Sequence, residues 1–171
     1  MPDLEGEPVS LSFRPDLSAH RGKLLSRKLE KGTPVHAAAF IRQRRIVLET
    51  ALFKDRQRLQ QILVHELFHF VWARLGNHKR AEFSAILRRE LERNARGELG
   101  EAAAVKKARL QPGDHRIENR RWRDYLCESF CDTAAWYHTG VNLPDEVTLG
   151  RRWSKPRARW IDSIFQERRS F

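Results

Sequence analysis

Cysteine is nearly absent from this chain: Cys127 and Cys131 are the two in 171 residues. Four apart on what reads as a helix, they suit neither a long-loop disulfide nor a zinc ribbon, and we read them as small buried residues. Long apolar runs are missing as well. Mean hydropathy is −0.66, and no stretch approaches the roughly 20 apolar residues that a bilayer span requires, so no membrane partner is expected. The first residues, Met-Pro-Asp-Leu-Glu-Gly-Glu, lack the basic start and apolar core of a secretory signal, and cytoplasmic residence is the expectation. No internal repeat or low-complexity tract is visible.

With 40% hydrophobic residues, residues 1–171 are enough for one domain with a real core and too few for two. The net charge of +11 is unevenly spread. Residues 106–123 carry seven Lys/Arg against Asp114 and Glu118, and residues 151–171 carry seven against Asp162 and Glu167. These stretches, interrupted by Trp122, Trp153 and Trp160, can meet a polyanion or nucleic acid, or can simply be a solvated surface. Arg151, Arg152, Arg157 and Arg159 are the cations expected to contact such a partner.

Val9, Leu11 and Phe13 alternate with polar neighbours ahead of Pro15, which predicts a short strand. Asp16 or Ser18 can then cap a helix bearing Leu17, Leu24, Leu25 and Leu29 and stopping at Gly32. Strands over 35–41 and 45–50, joined by a polar turn at 42–44, read as a hairpin. Asp55 is a credible N-cap for a long helix ending near Gly76, with apolar residues Leu59, Ile62, Leu63, Leu67, Phe70, Val71 and Leu75 on a wide face. Further helices are expected over 79–96, as a short Ala-rich piece within 97–118, and over 119–138 up to Gly140. An exposed basic link between Pro144 and Pro156 should lead to a terminal helix over 157–169. The fold class is therefore α+β and mostly helical.

Inside the long central helix lies His65-Glu66-Leu67-Phe68-His69, the pattern H-E-x-x-H. A separation of four sets both imidazoles on one face, one turn apart, where they can grip one ion; the adjacent Glu66 can take a proton from an activated water without being a ligand itself. A hydrolytic zinc needs a third protein ligand. The metzincin solution fails, because Trp72 stands where that pattern has Gly, Leu75 stands where it has His, and His78 comes too late. A later helix offers Glu128 and Asp132, again four apart. Glu128 can bind the metal, and Asp132 can accept the outer N–H of a liganding histidine.

H-E-L-F-H followed by E-S-F-C-D resembles the gluzincin branch of the zincin metallopeptidases, whose pattern is H-E-x-x-H and then E-x-x-x-D. The resemblance implies zinc at His65, His69 and Glu128, Glu66 as catalytic base, and Asp132 as an outer-shell partner. It also implies a zincin-like fold in which a small sheet packs on the motif helix, with an edge strand, naturally 45–50, beside the cleft. The stretch from Ile46 through Arg56, Gln57 and Arg58 to His69 further resembles the ImmA/IrrE-like cytoplasmic metallopeptidases. The expected activity is peptide-bond hydrolysis on a peptide or protein substrate, with Tyr125, Tyr137, His115 and His138 as candidate oxyanion donors. The competing reading is a zincin-fold binding module for nucleic acid or a partner protein. Glu66 separates the two, since a pure binding module has no need of it between two histidines.

Overall fold

The computed structural model describes residues 7–27 and 31–166. Helix dominates, in α1 (Arg56–Arg74), α2 (Asn77–Glu92), α3 (Glu101–Lys107), α4 (Asp114–Ile117), α5 (Arg120–Thr139) and α6 (Arg151–Gln166). Six short strands precede them: β1 (Ser10–Arg14), β2 (Leu17–His20), β3 (Lys23–Ser26), β4 (Thr33–Pro34), β5 (Ala37–Phe40) and β6 (Arg45–Glu49). They form two three-stranded sheets, ordered β1-β6-β5 and β3-β2-β4. The α+β expectation holds.

In the first sheet β6 runs parallel to β1 and antiparallel to β5. The 45–50 strand is thus central, not at the edge as expected. Its Ile46 and Leu48 are fully buried, and Val47 nearly so. Such an unbroken apolar run suits a strand with neighbours on both sides and a helix against it. The edge is β5. Glu49 donates its amide N–H to His36 O, which by antiparallel alternation turns the N–H groups of Ala37 and Ala39 toward the unpaired side.

The expected helix from residue 16 or 18 to Gly32 is instead a hairpin. Arg21 and Gly22 both take left-handed φ, 48° and 75°, the requirement of a tight two-residue turn, and β2 pairs with β3 from Leu17↔Ser26 to His20↔Lys23. The leucine spacing fitted either element, and the Arg-Gly turn decides. Leu29 lies outside the described residues.

α1 starts where Asp55 accepts the amide of Arg58 at 3.0 Å. One flank carries Leu59, Ile62, Leu63, Leu67 and Phe70 onto Ile46, Leu48 and Leu52 of the sheet side. The other carries Val64, Phe68 and Val71 into a larger core with Phe83, Leu87, Trp122, Phe130, Ala134 and Ile161. A helix covered on both flanks needs apolar residues nearly all round, as its sequence supplies. Gly76 caps α2 rather than only closing α1. α5 is closed by Gly140 at φ 64°.

The 145–156 stretch is not a basic link throughout: α6 begins at Arg151 and runs through Pro156. Proline costs the helix a backbone hydrogen bond. Packing of Trp160, Ile161 and Ile164, together with burial of Arg157, offsets that loss. The part of the expected terminal helix beyond Gln166 lies outside the described residues. No helix among those residues is long and apolar enough to cross a membrane.

Candidate metal centre

α1 and α5 pack side by side, and their facing turns bring His65, Glu66, His69, Glu128 and Asp132 together. The two imidazoles meet edge to face, 5.0 Å between centroids. His65 Nδ1–H donates to Asp132 Oδ1 at 2.7 Å, which leaves its Nε2 to face Glu128 Oε2 at 3.2 Å. His69 Nε2 faces the same carboxylate oxygen at 3.7 Å. Both Nε2 atoms and one carboxylate oxygen therefore converge. Burial opposes protonation of His65, but the Asp132 carboxylate, aided by Glu128 and Glu66, holds its imidazolium well above the ordinary value. Glu128 is driven upward by burial, yet the hydrogen bond from His65 and the charges of His69, His65 and Lys106 bring it below the usual carboxylate value.

Asp132 is fixed from behind. Its Oδ2 accepts the backbone N–H of Ala103, at 2.8 Å, near the start of α3. Gly100 lies so close that a Cβ there would fall 2.3 Å from the Asp132 carboxyl carbon, so only glycine lets α3 begin at this spot. Glu66 is buried, and it rises above the ordinary carboxylate value: burial and the Glu128 charge outweigh His65, His69 and a hydrogen bond from the Ala39 backbone. That Ala39 N–H belongs to the unpaired side of β5. The edge beside the site is thus β5, reached through Glu66 itself.

The cysteines do more than fill space. Cys127 Sγ and Cys131 Sγ each lie 3.5 Å from His69 Nδ1. A hydrogen bond from the Cys131 thiol, and one from His69, draw Cys127 down to about 6. Burial pushes Cys131 well above the usual thiol value. Cys127 and Cys131 thus flank His69 Nδ1 as Asp132 flanks His65 Nδ1, so each histidine has its own Nδ1 partners. The sequence signal was the spacing: 127/131 is the pair 128/132 shifted by one residue on the same helix.

Two donor sets can hold a cation here. His65, His69 and Cys131 offer ligand atoms within 4.8 Å of one another. His65, His69 and Glu128 offer the two Nε2 atoms and Glu128 Oε2. The first set is the tighter cluster, and the second rests on the two approaches to Glu128 Oε2, 3.2 and 3.7 Å.

The expected oxyanion donors are engaged elsewhere. Tyr125 donates its hydroxyl to Glu98 at 2.6 Å and Tyr137 to Asp162 at 2.9 Å; His138 packs between Phe68 and Phe165, and His115 lies against Trp122. The basic-surface expectation also needs correction. Arg157 is fully buried, bonded to Glu90 and Glu98, and Trp160 is buried against Phe83, so neither can meet a polyanion. No protein family matches the chain, nor does any curated protein or solved structure.

Proposed function

We propose that this chain is a zinc-dependent peptidase with His65, His69 and Glu128 as metal ligands and Glu66 as general base. The observation that carries the reading is the pair of approaches to Glu128 Oε2, 3.2 Å from His65 Nε2 and 3.7 Å from His69 Nε2. Ligand atoms bound at about 2.1 Å in a tetrahedron stand about 3.4 Å apart. Both approaches fit that spacing, and imidazole nitrogen with carboxylate oxygen is a donor combination that zinc takes. Asp132 behind His65 and the Cys127–Cys131 pair behind His69 fix the ring orientations that such a site requires.

When bound, zinc would supply a Lewis-acidic charge that polarises a substrate carbonyl and acidifies a water. The chain's own residues do the rest. Glu66, buried and raised above the ordinary carboxylate value, is suited to taking a proton from the attacking water and passing it to the leaving nitrogen. The unpaired side of β5 can bind an extended peptide as a further strand and present its backbone beside Glu66.

The test is elemental analysis of purified protein beside a peptide-cleavage assay. About one zinc per chain is expected; Glu66→Gln should keep the metal and lose on the order of 10²–10⁴ in rate. Full zinc occupancy in Glu128→Ala, with loss in Cys131→Ala, would select the His-His-Cys set instead. A metal-loaded protein that binds peptides and cleaves none would leave the zincin-fold binding module.

A further inference from the structure

A basic cavity lies further back along α5 from Glu128. α3 and α5 run antiparallel beside each other, with a register visible at two points. Ala103 meets Asp132 through its backbone N–H. One turn further along α3, the charge of Lys106 acts on Glu128. Arg109, two residues past the end of α3, continues the same line as α5 is followed back from Glu128. Lys106, Arg109, Asn119, Arg120, Arg121 and Asp124 line a cavity of about 500 Å³ there. Arg120, Asp124 and Glu128 are spaced by four, so groove and metal-facing carboxylate share one face of α5.

These cations are not equally available. Arg121 is spent on Asp114 through two hydrogen bonds, 2.7 and 2.9 Å. Arg120 is 89% exposed and only loosely paired with Asp124, at 3.8 Å. Among the described residues neither Lys106 nor Arg109 forms an ion pair. The groove therefore offers Lys106, Arg109 and the loosely paired Arg120 onward from Glu128, with Asp124 the one acid among its lining residues. Eight residues of helix, from Arg120 to Glu128, cover about 12 Å. An extended peptide covers that distance in about four residues.

From this juxtaposition we infer that the groove selects an acidic polypeptide substrate, with Lys106 and Arg109 pairing with Asp or Glu side chains within about four residues of the cleaved bond. The inference rests on the peptidase reading and deepens it. A peptide is favoured over nucleic acid by two features. The outward edge of β5, where the Ala37 N–H faces away from β6, complements a main chain, which nucleic acid does not have. Nucleic-acid binding draws on many cations that each neutralise a phosphate, and this groove has few free cations.

The experiment compares zinc-loaded protein on matched fluorogenic peptides carrying Glu, Gln or Lys at successive positions on either side of one cleavable bond. Native protein is expected to prefer the Glu peptide over the Gln peptide at least tenfold in kcat/KM. The Lys106→Glu/Arg109→Glu double variant, with zinc content checked, should reverse the order and prefer the Lys peptide. Equal cleavage of Glu and Gln peptides by native protein overturns the inference, as does an acidic preference that survives in the double variant. Should no peptide be cleaved, the peptidase reading fails by itself, and fluorescence anisotropy of the Glu peptide then decides the groove. Binding at least tenfold weaker in the double variant than in native protein supports it, and unchanged or absent binding overturns it. Displacement of the Glu peptide by a single-stranded oligonucleotide at lower concentration than by unlabelled Glu peptide also overturns it, in favour of nucleic acid.

Discussion

Two buried polar clusters meet on neighbouring faces of α5, one residue apart at Glu128 and Ser129, and they are built on opposite logic. Around Arg157 every polar group is matched. Its guanidinium donates to Glu90 at 2.9 and 2.5 Å, to Glu98 Oε2 at 2.8 Å and to Ser129 Oγ at 2.9 Å; Glu98 Oε1 also takes the Tyr125 hydroxyl and Lys107 Nζ. That cluster is closed and needs nothing more. Around Glu128, two Nε2 atoms face one carboxylate oxygen, His65 hydrogen-bonded to it and His69 at 3.7 Å, while Asp132 and the two cysteines hold the outer sides of the rings. A closed network ties α2, α5 and α6 together, and an open one leaves a place for a cation.

The comparison can be broken from either side, and the largest effect should come from the closed cluster. Arg157→Met leaves two buried carboxylates without their partner and is expected to cost about 3–5 kcal/mol in denaturant unfolding. A loss below about 1 kcal/mol would mean that the cluster relaxes into solvent and is not closed. The cluster also carries a pH signature. Burial tends to raise Glu98, but Arg157, Lys107 and Tyr125 bring it below the ordinary 4.5. A carboxyl depressed on folding stabilises above its unfolded value, so this contribution should be present at neutral pH and fade as pH falls through and below 4.5. In Arg157→Met that part of the acid dependence should be missing, which unfolding midpoints across pH 3–7 would reveal.

The open cluster should respond to metal instead. Zinc at a hundred times its Kd is expected to stabilise native protein by about 2.7 kcal/mol, read as a rise in Tm that a chelator reverses. Glu128→Ala should show no such rise. An equal rise in that variant removes Glu128 from the ligand set and moves the site toward Cys131.

Smaller effects probe the outer partners. Asp132→Asn keeps the shape but weakens the hold on His65 Nδ1, and about a 10–100-fold loss of zinc affinity is expected, measured by competition with a chelating dye. Gly100→Ala should act the same way at a distance, by displacing the Asp132 carboxylate; unchanged affinity would show that α3 yields instead. The smallest change should be Cys127→Ser, which substitutes a weaker acceptor at His69 Nδ1 and should lower affinity by less than about tenfold.

Periodic and local features were legible in the chain. Asp55 as cap, the two-sided apolar pattern of α1, the spacing of His65 and His69, and that of Glu128 and Asp132 all follow from helix geometry, which depends only on residues three or four apart. The β5–β6 hairpin was legible for the same reason, since a polar turn flanked by strand-forming residues encodes itself. The 16–32 segment was not, because Leu17, Leu24 and Leu25 satisfy either period and the turn at Arg21 and Gly22 outweighs it.

Which helix faces meet, and what lies behind them, only the tertiary structure decided. The sequence determines that α1 presents two imidazoles and α5 two carboxylates. It does not say that β6 sits between β1 and β5, so that β5 becomes the edge beside Glu66. Nor does it separate Arg157 from the arginines around it, since burial of one cation depends on Glu90 and Glu98, more than fifty residues away, arriving at the same point. Long-range pairing of charge has no period, and so it leaves no local trace in the chain. It appears only when packing removes water from both partners at once.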